Sequence, residues 1–244
     1  MILRYVLLIF SCVSIFSAGY ASAQTAVSQP LPFTVGETII FDIKKLKITI
    51  GEAALEYKGL TEINGKQAQH IVFRAKATGF YDEENLYFDP QTFYPLKNFR
   101  DLNIFGNKQK IEETYFQDQR KVEIIDLSKD ATDKLEIKKN GPIDNVYGII
   151  YRFRMNGNAE LGAKINSELP TKEVKFIISK INNIKINKQR YKAVFMSGDP
   201  KNFGFWFSDD KKRIPLKING ALGAISAVME FKKYCESSCL ENNK

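Results

Sequence analysis

The chain reads as a mainly β protein: one large antiparallel sheet, curled or barrel-like, with a single amphipathic helix packed on it. Three observations predict this. Apolar residues recur with a period of two through most of residues 31–234, an Asn-Gly pair sits between two such runs, and one stretch alone switches to helical spacing.

The first 23 residues carry the marks of a secretory signal. Arg4 supplies the positive start, VLLIF opens an apolar run, and Ala21-Ser22-Ala23 gives a small-residue cleavage site before Gln24. A membrane anchor fits less well, because Ser11, Ser14, Ser17 and Gly19 interrupt a run that falls short of the roughly 20 apolar residues a spanning helix needs. Lipidation at Cys12 is disfavoured by bulky Phe10 and by the short apolar stretch before it. The expected product is a soluble periplasmic or secreted protein, and residues 24–30, QTAVSQP, form a polar, flexible lead-in.

The domain proper is expected over residues 31–234, opening with LPFTVGETIIFDIKKLKITIGEAALEY, two strand-like runs around a basic KKLK step. In KITIGEAALEY, Ile48, Ile50, Ala53, Leu55 and Tyr57 fall on one face, and Gly51 within the run suggests a bulge or a close backbone approach. EINGK at 62–66 is a hairpin turn with an Asn-Gly core. Strand candidates follow at 68–79, 85–89, 92–100, 108–117, 120–127 and 133–138. In PIDNVYGIIYRFRMNG the apolar residues Val146, Ile149, Ile150 and Phe153 take helical spacing. Pro142 and Asp144 are start signals and Gly157 a stop, so one helix is expected near 143–155. Period two then returns in EVKFIISKI, RYKAVFMSG, FGFWFS, RIPLKING and GAISAVMEF, with a hairpin turn at Asp209–Lys212. No repeat or linker divides these runs, and a sheet of more than about ten strands tends to curl. Residues 235–244 are a tail in which Cys235 and Cys239 are expected to close a small disulfide loop, a local clip contributing at most about 2 kcal/mol.

The formal charge of +8 suits association with an anionic surface, but the lysines are scattered in the manner of a solvated face. Export and the lack of any nucleic-acid module argue against a nucleic-acid partner.

Three segments carry a family resemblance: the opening LPFTVGETIIFDIKKLKITIGEAALEY, the middle DNVYGIIYRFR and the closing FGFWFSDDKKRIPLKINGALGAISAVMEF. Together they resemble the uncharacterised bacterial envelope family known as the domain of unknown function numbered 3108. The family pattern falls on Gly36, Glu37 and Gly51, on Tyr151 and Arg154, and on Trp206, Asp210 and Pro215. Tyr147 followed by Gly148 stands where that pattern has a small residue. The resemblance implies an exported, mostly β fold with an envelope role and implies no chemistry.

Little in the chain points to catalysis. His70, the one histidine, lies on the face of Val72 and reads as a partly buried, satisfied residue; with it alone, and no thiol beyond the terminal pair, triads and His-rich zinc sites are hard to assemble. Asp82, Glu83, Glu84 and Asp89 read as a solvated acidic loop in preference to an ion site, and Asp209 and Asp210 as turn residues. No phosphate-binding glycine loop is present, and neither a cofactor nor a metal is expected. Aromatics are the remaining lead. Phe203, Phe205 and Phe207 share one face of a strand and Trp206 takes the other, so these rings are either core or the lining of an apolar pocket. Arg152 and Arg154 offer a head-group contact or a salt bridge.

The expectation is therefore a non-enzymatic exported envelope protein binding a lipid-like or amphipathic ligand through Trp206, Phe205, Phe88, Tyr151 and Arg154. The alternative is a structural adaptor that binds an envelope protein through a sheet edge or basic face. A carboxylate-based glycan hydrolase is a third, weaker reading.

Overall fold

The computed structural model describes residues 30–128, 134–201, 203–222 and 227–237. The signal-like segment, most of the lead-in and Cys239 lie outside them. From Leu31 onward the chain is one compact unit. Its strands are β1 (Thr38–Lys45), β2 (Ile48–Ile63), β3 (Lys66–Ala77), β4 (Phe80–Phe88), β5 (Pro95–Ile104), β6 (Asn107–Phe116), β7 (Lys121–Asp126) and β8 (Lys134–Lys138). After the helix α1 (Val146–Asn156) come β9 (Lys164–Leu169), β10 (Lys172–Ile186), β11 (Gln189–Asp199), β12 (Gly204–Ser208), β13 (Pro215–Asn219) and β14 (Val228–Cys235).

All fourteen strands form one antiparallel sheet in the order β8-β7-β6-β5-β4-β3-β2-β1-β14-β13-β12-β11-β10-β9. It is two meanders joined where the first strand pairs with the last, Thr38 opposite Cys235 and Lys44 opposite Val228. The middle strands β8 and β9 are left on the two edges, and α1 links them. KINSEL, which forms β9, shows the period-two signal only weakly, having polar Ser167 between Ile165 and Leu169.

The helix shows that this sheet curls. Tyr147 stacks on Phe73 of β3 with ring centroids 4.6 Å apart, and Phe153 meets Phe207 of β12 at 4.5 Å. Five strand spacings separate β3 from β12, roughly 24 Å across a flat sheet at about 4.8 Å each. One helix about 10 Å across touches both only if the sheet wraps around it. The sheet does not close. At one end the gap between its edges is bridged by residues 139–144: Lys139 N–H donates to the Arg120 carbonyl at 2.9 Å and Asp144 N–H to the Glu168 carbonyl at 2.7 Å. The Gln117 side chain donates to the Ile143 carbonyl and accepts from its amide at 2.8 and 3.0 Å.

Two-residue hairpins set much of the register. The expected Asn64-Gly65 turn has both residues at positive φ, and so do Leu46-Lys47, Phe105-Gly106 and Asn187-Lys188. This matches the turn geometry whose twist fits paired strands. Leu46-Lys47 is the second half of the KKLK step, and Ile48 beside it is 68% exposed because it leaves the turn before the inward face begins. At Gly51 both expectations for the glycine are met. The ladder shifts register between Ile43 and Lys44, and a Cβ on Gly51 would lie 2.2 Å from the Lys76 carbonyl oxygen.

The helix starts three residues later than its sequence signals suggest. Asn145 is its cap, accepting from Tyr147 N–H at 2.8 Å. Asp144, one of the expected start signals, instead receives Arg152 Nη1 at 2.8 Å and Ser167 Oγ at 2.7 Å. Burial extends beyond the stripe of Ile149, Ile150 and Phe153 to Tyr147, Gly148, Tyr151 and Arg154, as expected for a helix enclosed on most sides. Gly148 is needed there: a Cβ would fall 2.8 Å from the Phe88 ring, so bulky Tyr147 is tolerated because its neighbour lets the backbone approach β4.

Candidate functional site

The inner wall beside the helix is polar where β4, β5 and β6 run together. Strand alternation turns Phe80, Asp82, Glu84, Leu86 and Phe88 to the interior. The ladders set Glu84 opposite Arg100 and Asn98 opposite Glu113. Residues 82–84 are therefore not the solvated acidic loop expected from sequence. A two-residue turn at 78–79 starts β4 at Phe80, so the acidic run lies within a strand, and Arg100 on the neighbouring strand makes inward carboxylates tolerable. Asp82 and Glu84 are buried, whereas Glu83 faces the other way, accepting from Arg74 Nε at 3.2 Å and the Tyr81 hydroxyl at 2.7 Å.

Hydrogen bonding across this wall is lopsided. Arg100 donates twice to Asp82, at 2.8 and 2.6 Å, and stands 3.6 Å from a Glu84 oxygen. Asn98 Nδ2 serves two carboxylates, Glu84 at 2.8 Å and Glu113 at 3.4 Å, and the Tyr115 hydroxyl also donates to Glu113 at 2.6 Å. Two buried polar atoms here have no partner among the described residues: Asn98 Oδ1 and the Tyr147 hydroxyl. Burial pushes the Glu84 carboxyl up to about 7; Asp82 and Glu113 add to the shift and Arg100 opposes it. Burial also drives the Tyr115 and Tyr147 hydroxyls well above the usual phenol range.

These groups floor a cavity of about 330 Å³. Its other walls are mostly apolar, from Val146, Ile124, Leu169, Phe203 and Ala221, with Asn145 among them. Exposed Thr171 and Lys172, at the β9–β10 turn, stand at its rim. The space thus has an acceptor-rich end and a greasy side.

None of the five residues expected to touch a ligand lines it. Phe88, Tyr151 and Phe205 are fully buried core: the first two stack on Phe93 at 5.6 and 5.9 Å, and Phe205 packs on Phe176 at 5.3 Å. Trp206 lies on the opposite face of β12, stacked on Phe195 at 4.0 Å with the Lys217 ammonium 5.2 Å from its ring. It is outside the interior because alternation sends it away from Phe205 and Phe207. Arg154 takes the salt-bridge option. Its Nη1 and Nη2 donate to the two Glu37 oxygens at 2.6 and 2.9 Å, and its Nε to the Lys212 carbonyl at 3.1 Å. The Tyr234 hydroxyl donates to the same Glu37 at 3.1 Å. Glu37, Arg154 and the Asp210 turn, which came from three separate segments, therefore meet in one latch, with Asp210 accepting from Lys212 and Arg213 N–H at 2.9 and 3.0 Å.

His70 is half-buried, within 3.1 Å of Asn85 Oδ1 and stacked on Tyr87 at 4.7 Å. Cys235 is disulfide-bonded, and its expected partner Cys239 falls outside the described residues. Asn98, Arg100, Glu113, Tyr115 and Tyr147 escaped sequence reasoning. The available signal was polar residues at matched parity on three successive strands, which becomes visible only once the register is known. Among the described residues no cluster of His, Cys, Asp and Glu could hold a metal ion, and no helix is long and apolar enough to cross a membrane.

No curated protein matches the chain. Among solved structures, a beta-barrel-like protein of domain of unknown function DUF1849 from Brucella abortus is similar at 11% identity and a TM-score of 0.46, over 83% of this chain and 98% of that one. The family model described as protein of unknown function (DUF3108) matches residues 38–232, most of the fourteen-stranded sheet and the whole of its helix, and the chain belongs to that family.

Proposed function

We propose that the protein is an exported, non-enzymatic binding protein of the cell envelope whose curled sheet holds a small amphipathic molecule between α1 and β4–β6. One observation carries this reading: a cavity of about 330 Å³ with an acceptor-rich floor and apolar walls, set beside the helix. Its volume falls within the roughly 300 to 1,000 Å³ usual for small-molecule sites. The signal-like N-terminus supports export, and the cationic rim at Lys172 suits a ligand arriving from an anionic surface.

Two alternatives draw less support. A glycan hydrolase needs its two carboxyl groups on either side of the scissile bond. Glu84 and Glu113 share the amide nitrogen of Asn98, leaving no room for a sugar ring between them. An adaptor that adds a strand to a sheet edge would use β8 or β9. Both are short and carry lysines, Lys134, Lys138 and Lys164, a pattern that discourages such pairing.

Native mass spectrometry of protein purified from the periplasm, followed by lipid extraction, tests the reading. A co-purified small molecule is expected in the wild type and in Trp206→Phe, whose ring lies on the far face, and is expected to be lost in Ala221→Trp, which fills the cavity. Protein that emerges clean, or that keeps its ligand in Ala221→Trp, refutes the assignment.

A further inference from the structure

We infer that the floor of the cavity is a subsite for a protonated primary amine, the head group of the amphipathic ligand. This deepens the binding reading above and rests on it. Three features of the floor point to a cationic, donor-rich group.

The first is charge. Asp82 takes up the guanidinium of Arg100 through two hydrogen bonds, so that pair is internally balanced. Glu84 and Glu113 remain, and the other cation among the lining residues, Lys172, is exposed at the rim, 5.7 Å from the centre of the Phe203 ring.

The second is the hydrogen-bond inventory. The donors on the floor are the Asn98 amide, already divided between two carboxylates, the Asn145 amide, which is hydrogen-bonded to Tyr115, the Arg100 guanidinium, taken up by Asp82, and the hydroxyls of Tyr115 and Tyr147. The acceptors are four carboxylate oxygens, Asn98 Oδ1 and the Tyr147 oxygen. Asn98 Oδ1 and the Tyr147 hydroxyl are unpartnered, although each residue is only 2% exposed. Leaving such atoms unpaired costs about 1–3 kcal/mol apiece, a penalty that a matching ligand removes. An ammonium brings three donors and no acceptor, the complement of this surface. A carboxylate or phosphate head would add acceptors and negative charge to a floor that has both in excess.

The third is the proton inventory around Glu84. Asp82 on its own strand, Arg100 on β5, Glu113 and Tyr115 on β6 and Tyr147 on the helix are the titratable or charged groups facing it. With its carboxyl lifted to about 7, Glu84 can hold a proton in the empty site and release it when an ammonium arrives. Affinity for an amine should then rise with pH as Glu84 ionises, up to the point where the amine itself loses its proton.

The test is calorimetric titration of the purified full chain with three probes of equal chain length, octylammonium, 1-octanol and octanoate, near pH 7.5. Octylammonium is expected to bind at least tenfold more tightly than the other two. That preference should fall at least tenfold in both Glu84→Gln and Tyr147→Phe, the second of which keeps the ring that stacks on Phe73. Wild-type affinity for octylammonium should rise from about pH 6 to about pH 8, and the rise should vanish in Glu84→Gln. If octanol or octanoate binds as well as octylammonium, the amine assignment fails while the binding reading stands. If octylammonium binds best but neither variant weakens it, the amine sits elsewhere and the subsite is refuted. If no probe binds, the binding reading fails with it.

Discussion

Two of the buried ionic clusters among the described residues differ in a way that separates scaffold from site. In the latch, Glu37 and Arg154 are paired carboxylate to guanidinium, with further bonds from Tyr234 and to the Lys212 carbonyl, and both residues are essentially inaccessible. On the β4–β6 floor, carboxylates outnumber the cation among them, one amide is shared between two acceptors, and two of the residues that line the cavity carry unpartnered polar atoms. A closed network fixes the helix to the opening and closing segments of the chain. An open one is a surface waiting for the missing donor. Buried charge by itself therefore says little about function; the balance of donors and acceptors around it says more.

The largest effect should come from breaking the latch. Arg154→Met leaves Glu37 buried with only the Tyr234 hydroxyl beside it, and urea denaturation should show a loss of about 3–5 kcal/mol. Adding Glu37→Leu should restore much of that loss, since an apolar pair no longer carries an uncompensated charge. A single variant as stable as the wild type would mean that the pair does not hold the helix.

Glu84 should behave in the opposite sense. Its carboxyl is raised from 4.5 to about 7, so the folded state binds the proton more tightly than the unfolded chain does. The contribution is fully present below about pH 4.5 and is lost as pH rises through about 7. Across that window it amounts to about 3 kcal/mol. Stability measured against pH should decline more steeply in the wild type than in Glu84→Gln. Parallel curves would show that the floor does not penalise the ionised carboxylate. An intermediate effect is expected for Gly148→Ala, whose Cβ would press on the Phe88 ring at 2.8 Å; chemical denaturation should register about 1–3 kcal/mol.

Much of the scaffold was legible because it follows local rules. Alternation located most strands, Asn64-Gly65 marked its hairpin, and Gly51 pointed to a bulge or a close approach, of which the structure shows both. The turn at Leu46-Lys47 was not legible as a turn type, because Leu and Lys seldom take positive φ and adopt it there under the pull of the flanking ladders. The site was harder to see for a related reason. Asp82, Glu83 and Glu84 look like a solvated run in one dimension. Only pairing with β5 splits them, sending Asp82 and Glu84 inward to Arg100 and Glu83 outward to Arg74. Trp206 presents the converse case. A lone tryptophan among phenylalanines invites a ligand role, yet alternation assigns it the other face of β12, where it stacks on Phe195 and does not line the β4–β6 cavity.

Two tyrosines provide the finest comparison. Tyr57 and Tyr147 are both buried around the helix, one on β2 and one on α1. The Tyr57 hydroxyl donates to Gln69 Oε1 at 2.5 Å, whereas the Tyr147 hydroxyl has no partner. Removing each oxygen as Phe keeps the ring and isolates the hydrogen bond. Tyr57→Phe should cost about 1 kcal/mol, because it deletes a made bond and strands the amide oxygen of Gln69. Tyr147→Phe should cost nothing, or stabilise by up to about 1 kcal/mol, because the hydroxyl loses contact with water on folding and gains nothing in return. Thermal or urea unfolding of the two variants, measured side by side, decides the matter. Equal losses would mean that Tyr147 is already bonded in the folded protein and that the floor is closed like the latch. The opposite signs expected here would mark Tyr147 as a group kept at some expense of stability for what it binds.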